Sequence, residues 1–236
     1  MPAWVLERDA LAARIGAEGV TAVIDESLAE GVAGLVAHTA GPDLHPQLSD
    51  LRRRLIVEGA LVDDAAARVV EAFASAGVRA VQLKGAVLAH TAYPASWCRT
   101  RGDLDLLVAR ADRPRASEIM RALGYRDGGL TAGDWVMQQD LWERPLTPAL
   151  PHLVDVHVEL SNRAFLSARM PADACLARAV PASFGGEGAW QLDAVDAVIF
   201  SCMHRVGHHP RDARLVWSFD LAQQAAALSA RDIGVL

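Results

Sequence analysis

Two aspartates stand two residues apart in the stretch 83–108, LKGAVLAHTAYPASWCRTRGDLDLLV. If DLDLLVA forms a strand, Asp103 and Asp105 project from the same face. Two ionised carboxylates ~4 Å apart repel by about 4 kcal/mol at an effective dielectric near 20, so the pair calls for a cation or a shifted pKa. A divalent metal is the simplest answer. Magnesium takes hard oxygen ligands, keeps part of its water and shares a substrate phosphate, and two carboxylates on a strand leave room for both. A third carboxylate would hold a second metal and help activate an attacking hydroxyl, and Asp155 is the natural candidate. It lies in LVDVHVEL (153–160), whose period-two pattern puts Val154, Val156, Val158 and Leu160 on one face and Asp155, His157 and Glu159 on the other. Taken alone, a DxD in a strand is common and more often holds no metal.

The elements that must position these groups follow from the surrounding pattern. Up to about residue 60 the chain reads as two or three helices broken at GPDLHP (41–46), and Asp63 and Asp64 can cap a helix over 65–76 that Gly77 stops. A strand over 78–83, a short helix over 85–92 and the strand over 103–109 come next. Pro114 opens a helix that Gly124 ends, Gly128, Gly129 and Gly133 mark a loop, and the three prolines of ERPLTPALPH (143–152) mark a second punctuated stretch. After the glycine-rich SFGGEGAW, helices are expected over 193–206 and 214–230, joined by GHHPRD.

Composition narrows the function classes. With 236 residues, 52% hydrophobic and 22% charged, the chain can bury a real core, and disorder is excluded. A formal net charge of −6 works against binding a long polyanion. Cys98, Cys175 and Cys202 form neither a disulfide framework nor a CxxC zinc site, which suits a reducing compartment. No apolar run reaches the ~18–20 residues of a bilayer span, and acids and arginines occupy the N-terminus where a signal peptide needs an apolar stretch. The expectation is a cytoplasmic protein with no membrane partner.

The order Leu83-Lys84-Gly85, then Arg99-Thr100-Arg101-Gly102-Asp103-Leu104-Asp105, then VDVHVEL and finally HRVGHH with LVWSFDL resembles the DNA polymerase β-like nucleotidyltransferase superfamily. Within it, the order is similar to a group of uncharacterised bacterial nucleotidyltransferases, over about residues 63–222. The resemblance implies an α/β (α+β) fold with a small mixed sheet and flanking helices. Residues 1–62 would be an N-terminal helical region, 63–165 the nucleotidyltransferase core, and 166–236 a C-terminal, mainly helical part. It implies transfer of an NMP group from an NTP such as ATP to a hydroxyl acceptor, with release of pyrophosphate. Asp103, Asp105 and Asp155 would hold two Mg2+ ions, with Mn2+ as the alternative ion. Lys84 and Gly85 would stand near the triphosphate, which fits a glycine and a helix N-terminus approaching an anion. Arg99 would bind a phosphate or fix the loop onto the aspartates, and His157 would support the ligands.

Ala86 departs from the pattern, because in the wider superfamily that glycine is usually followed by serine. It is the best support for the competing reading, a non-catalytic regulator that keeps the fold and binds a nucleotide or a protein. His204, His208 and His209 suggest zinc only if a helix continues through Gly207. Gly207 and Pro210 argue that it ends there; the family resemblance implies instead that the segment helps form the nucleotide or acceptor pocket, and simple helix capping is the other reading. Trp217 and Asp220 read as packing and surface residues. The acceptor stays open, a small molecule, peptide or protein fitting the acidic charge better than a long nucleic acid. The nucleobase and oligomeric state are open as well.

Overall fold

The computed structural model describes residues 1–128, 138–208 and 210–234; the expected loop glycines Gly129 and Gly133, and His209, lie outside the described residues. The chain divides into two compact units.

One unit comprises residues 1–61, 88–100 and 211–223. The N-terminal segment holds more helices than the two or three expected: Ala3–Leu6 (α1), Arg8–Glu18 (α2), Val20–Ala29 (α3), Ala33–Ala40 (α4) and Pro46–Ser75 (α5). The helix start expected at Asp63 and Asp64 does not occur, because α5 runs unbroken for 30 residues. Pro46 opens it, where a missing N–H costs nothing, and no second proline interrupts it. Its two aspartates therefore serve as side-chain partners rather than caps, Asp64 with Arg68 at 2.9 Å and Asp63 with Arg101. The core of this unit gathers Val5, Leu11, Val36, Leu48, Cys98 and Phe219. Gly34 in α4 lets the chain pass at the shortest distance: a Cβ there would lie 2.4 Å from the Cys98 carbonyl oxygen.

The other unit comprises residues 62–87, 101–210 and 224–236. Beyond α5 the elements of the chain run Val81–Gln82 (β1), Lys84–Thr91 (α6), Asp103–Leu107 (β2), Arg113–Ala122 (α7), Arg126–Asp127 (β3), Gln139–Thr147 (β4), Leu150–His157 (β5), Ala164–Arg169 (α8), Ala172–Arg178 (α9), Val180–Pro181 (β6), Trp190–Gln191 (β7), Ala194–His208 (α10), Leu215–Ala227 (α11) and Ala230–Ile233 (α12), with α6 and α11 each having residues in both units. The strands form a mixed seven-stranded sheet in the order β3-β4-β5-β2-β1-β7-β6. This is the α/β architecture expected from the sequence. The punctuated stretch around three prolines, expected to be irregular, instead contributes the end of β4 and the start of β5. Pro145 and Pro151 oppose each other at the hairpin end of the ladder, where the register shifts and no donor is missed. β5 accordingly begins at Leu150, earlier than expected, and the Val158 N–H extends its pairing with a bond to Gln138 at 2.9 Å.

Alternation along the strands gives the sheet two different faces. Leu104, Leu106, Val154 and Val156 pack on one side with Val69, Phe73 and Met120. On the other side Val81, Leu83 and Leu107 pack with Cys175, Leu176 and Phe200, and this second face also carries Asp105, Asp155 and His157. β2 and β5 are parallel neighbours with Asp105 opposite Asp155 and Leu107 opposite His157, so two stretches fifty residues apart deliver their polar groups to one spot.

α10 continues through Gly207 to His208, against the expected stop. Gly207 is buried against Leu166, whose Cδ1 would lie 2.5 Å from a Cβ at that position, so it serves a close approach rather than a termination. Among the described residues no helix is long and apolar enough to cross a membrane.

Two glycine substitutions should move stability in opposite directions. Gly34→Ala should destabilise by about 2 kcal/mol or more, since backbone must shift to relieve the clash. Gly16→Ala, in an exposed turn of α2 with open space around it, should stabilise by about 0.5–1 kcal/mol. Urea unfolding of the two variants checks both signs, and a neutral Gly34→Ala would contradict the packing described for α4.

Candidate active site

The site starts at the turn from β1 into α6. The Leu83 N–H bonds to the Asp105 carbonyl at 3.0 Å, which fixes the end of β1 against β2. Lys84, next in the chain, has φ +49°, the left-handed region that costs a residue with a Cβ about 1–2 kcal/mol. Its side chain explains why the conformation is kept: Nζ lies 2.6 Å from Asp105 Oδ1. Gly85 follows in the first turn of α6, leaving the backbone there open to close approach. Ala86 is buried among the apolar residues on the opposite face of the sheet, 4% exposed, so its methyl fills core space.

Asp105 is 2% exposed, and its Oδ1 also receives a hydrogen bond from His157 Nε2 at 2.8 Å. Burial by itself would raise its pKa, but the Lys84 charge and the His157 hydrogen bond outweigh that and hold the carboxyl below the usual carboxylate range. Asp155 is different. Burial and the negative charge of Asp105 raise its pKa, with His157 and Lys84 opposing, and its buried Oδ1 has no hydrogen-bond partner among the described residues. Asp103 still reaches solvent, yet the protein packed around it and the charges of Asp105 and Asp155 push its carboxyl up to about 6, partly offset by Lys84.

Ligand atoms of Asp105, Asp155 and His157 all lie within 4.8 Å of one another, the one such group of three among the described residues. Two carboxylates and an imidazole suit a divalent cation, and the orphaned Asp155 oxygen is a donor atom that a cation would satisfy. Asp103, expected with the other two aspartates, stands outside this trio and is linked to it by charge alone. His157, expected on the Asp155 face as a support for the ligands or as a ligand itself, is a member of the trio.

Arg99, expected near phosphate or near the aspartates, is held within the first unit. Its guanidinium meets Asp220 with Nη2 at 2.9 Å and Nε at 3.2 Å, and the Tyr93 hydroxyl donates to the same carboxylate at 2.6 Å. Asp220, read from sequence as a surface residue, is 3% exposed and is the anchor of this cluster. The sequence offered no local sign of a pair 121 residues apart. His204 and His208 do share a helix face and stack at 5.2 Å, but no third ligand joins them among the described residues, so the zinc reading has no support there. A cavity of about 300 Å³ lined by Arg110, Glu159, Ser167 and Asp173 lies past the end of β5 and includes none of the trio.

Comparison with known families supplies the class of protein that this fold and site belong to. The family model described as uncharacterised nucleotidyltransferase matches residues 9–233. The chain belongs to this family and is a nucleotidyltransferase. Among solved structures it is similar to the solution structure of the antibiotic-resistance factor ANT(2'')-Ia, at 16% identity and a TM-score of 0.49, over 77% of this chain and 86% of that one. No curated protein matches the chain.

The charge arrangement predicts how Lys84 contributes to stability. Lys84→Met leaves Asp105 buried without its ammonium partner and should cost about 3 kcal/mol. Added Mg2+ or Mn2+ should then raise the melting temperature of the variant by more than that of the parent protein. Equal melting temperatures, or equal metal shifts, would contradict the account of Asp105.

Proposed function

We propose that the protein transfers an NMP group from an NTP to a hydroxyl of a small-molecule acceptor and releases pyrophosphate, using divalent magnesium held by Asp105 and Asp155, with Asp103, outside the trio, joining them only once a metal and phosphates are bound. The observation that carries this reading is the meeting of Asp105, Asp155 and His157 on adjacent parallel strands with Lys84 reaching into them. Family membership gives the reaction class. The two-ion count, magnesium over manganese, ATP as donor and a cytoplasmic setting are parts of the same proposal.

Bound divalent ions would neutralise phosphate charge and lower the pKa of the acceptor hydroxyl. The chain's own groups account for the remaining work. Lys84, the first residue of α6 and now on Asp105, would exchange that carboxylate for the triphosphate, while Gly85 would admit the phosphate close to the backbone. The acceptor oxygen attacks the α-phosphorus, the bond from that phosphorus to the bridging oxygen breaks, and pyrophosphate departs with the electron pair. Asp155, whose basicity is raised by burial and by Asp105, accepts the hydroxyl proton. His157 keeps Asp105 oriented through Nε2. Arg99 is held by Asp220 and is given no step in this reading.

Incubation of the protein with Mg2+, each labelled NTP and fractionated small-molecule extracts tests the proposal by pyrophosphate release and label transfer. Asp105→Asn should lower turnover by roughly a hundredfold or more while retaining the circular dichroism spectrum of the parent. Saturable NTP binding with no pyrophosphate release across the fractions would instead favour the regulatory reading, and full activity in Asp105→Asn would defeat the metal assignment.

A further inference from the structure

The proposed chemistry places phosphates at Lys84 and leaves open where the base of the nucleotide lies. A line of rings leads away from Lys84 along one face of α10, at intervals of four residues. Lys84 Nζ lies 5.8 Å from the centre of the Phe200 ring. Phe200 lies 6.0 Å from His204, and His204 lies 5.2 Å from His208 with the two imidazoles inclined by only 23°. The far end is tied down, because His208 Nε2 meets the Ser161 hydroxyl at 3.0 Å, and that hydroxyl also accepts from the Arg163 N–H at 3.1 Å. Phe200 is 2% exposed and belongs to the core, whereas His204 and His208 are half-buried and retain access to solvent.

We infer that the His204–His208 stack is the platform on which the nucleobase of the NTP lies, a reading that rests on the proposed nucleotide chemistry at Lys84. The base is the flat aromatic part of an NTP, and stacking is how a flat π-system is bound without regard to its hydrogen-bonding edge. His204 is separated from Lys84 by a single ring, that of Phe200. Ser161 holds the His208 imidazole in place before ligand arrives, so little of that side chain's freedom is lost on binding. The same arrangement explains why α10 runs on through Gly207: ending the helix earlier would remove His208 from the stack. The platform contributes affinity for any base and little choice among them, which agrees with the lack of a base-reading motif in the sequence.

Calorimetric titration of the full chain with Mg2+ and either tripolyphosphate or each of the four nucleoside triphosphates separates base from phosphate recognition. His204→Ala should weaken nucleoside triphosphate binding by roughly tenfold or more and leave tripolyphosphate affinity unchanged. His204→Phe, which preserves a stacking ring, should restore binding to near the parent value. Equal weakening toward tripolyphosphate and NTP, no weakening toward either, or failure of the Phe variant to restore binding in a protein with an unchanged melting curve would overturn the inference. If the parent protein binds neither ligand, the nucleotide reading itself fails and this inference with it. If the parent binds both and His204→Ala is indifferent, only the platform is refuted.

Discussion

A negative charge buried beneath a sheet face must be answered by a positive one, and most of this site can be understood as the answer given to Asp105. A carboxylate that is 2% exposed cannot rely on water, and one left unpaired would cost several kcal/mol. Lys84 meets the need at 2.6 Å, and does so from a left-handed backbone conformation that a residue with a side chain otherwise avoids. His157 meets the same oxygen from the neighbouring strand. Both contacts converge on Oδ1, so the compensation is local and directional. A site held this way is a poor place for a neutral ligand and a good one for exchanging one cation for another.

Strand register is what turns separate acids into a group. Asp105 and Asp155 are fifty residues apart in the chain and directly opposite in the parallel β2–β5 pair, and a slip of one residue would turn Asp155 and His157 into the apolar side and Val154 and Val156 out of it. The apolar residues that alternate with the acids therefore set the site: Leu104, Leu106, Val154 and Val156 anchor the opposite face to Phe73 and Met120. The unequal environments of Asp105 and Asp155 follow from this placement. The first is held ionised by Lys84 and His157, while the second is made more basic by the first. Two like groups with their affinities for protons pushed apart can divide the tasks of holding charge and accepting a proton.

Much of this was legible in the sequence because it depended on short-range periodicity. DLDLL and LVDVHVEL announced their faces by alternation, and the Leu83-Lys84-Gly85 turn announced itself by a glycine beside a helix start. What escaped depended on tertiary partners. α5 continues past Asp63 because nothing within it breaks a helix, and the two aspartates found arginine partners instead of backbone to cap. β4 escaped because prolines suggested a loop, whereas they lie where the ladder is already irregular. Gly207 looked like a stop and proved to be a contact with Leu166. Asp220 looked like a surface residue because its partners, Tyr93 and Arg99, are more than a hundred positions away in the chain. Alternation put His157 on the face of Asp155 but could not show that its ring would meet Asp105 Oδ1.

The claim that Asp105 and Asp155 form a cation-binding centre is tested most directly by titrating Mn2+ into the protein with a non-hydrolysable NTP analogue and following the free-ion electron paramagnetic resonance signal. The account predicts saturable uptake by the parent chain. In a folded Asp105→Asn/Asp155→Asn double variant it predicts an affinity loss of roughly a hundredfold or more, beyond what removal of a supporting residue produces. Undiminished Mn2+ uptake by the double variant would contradict it.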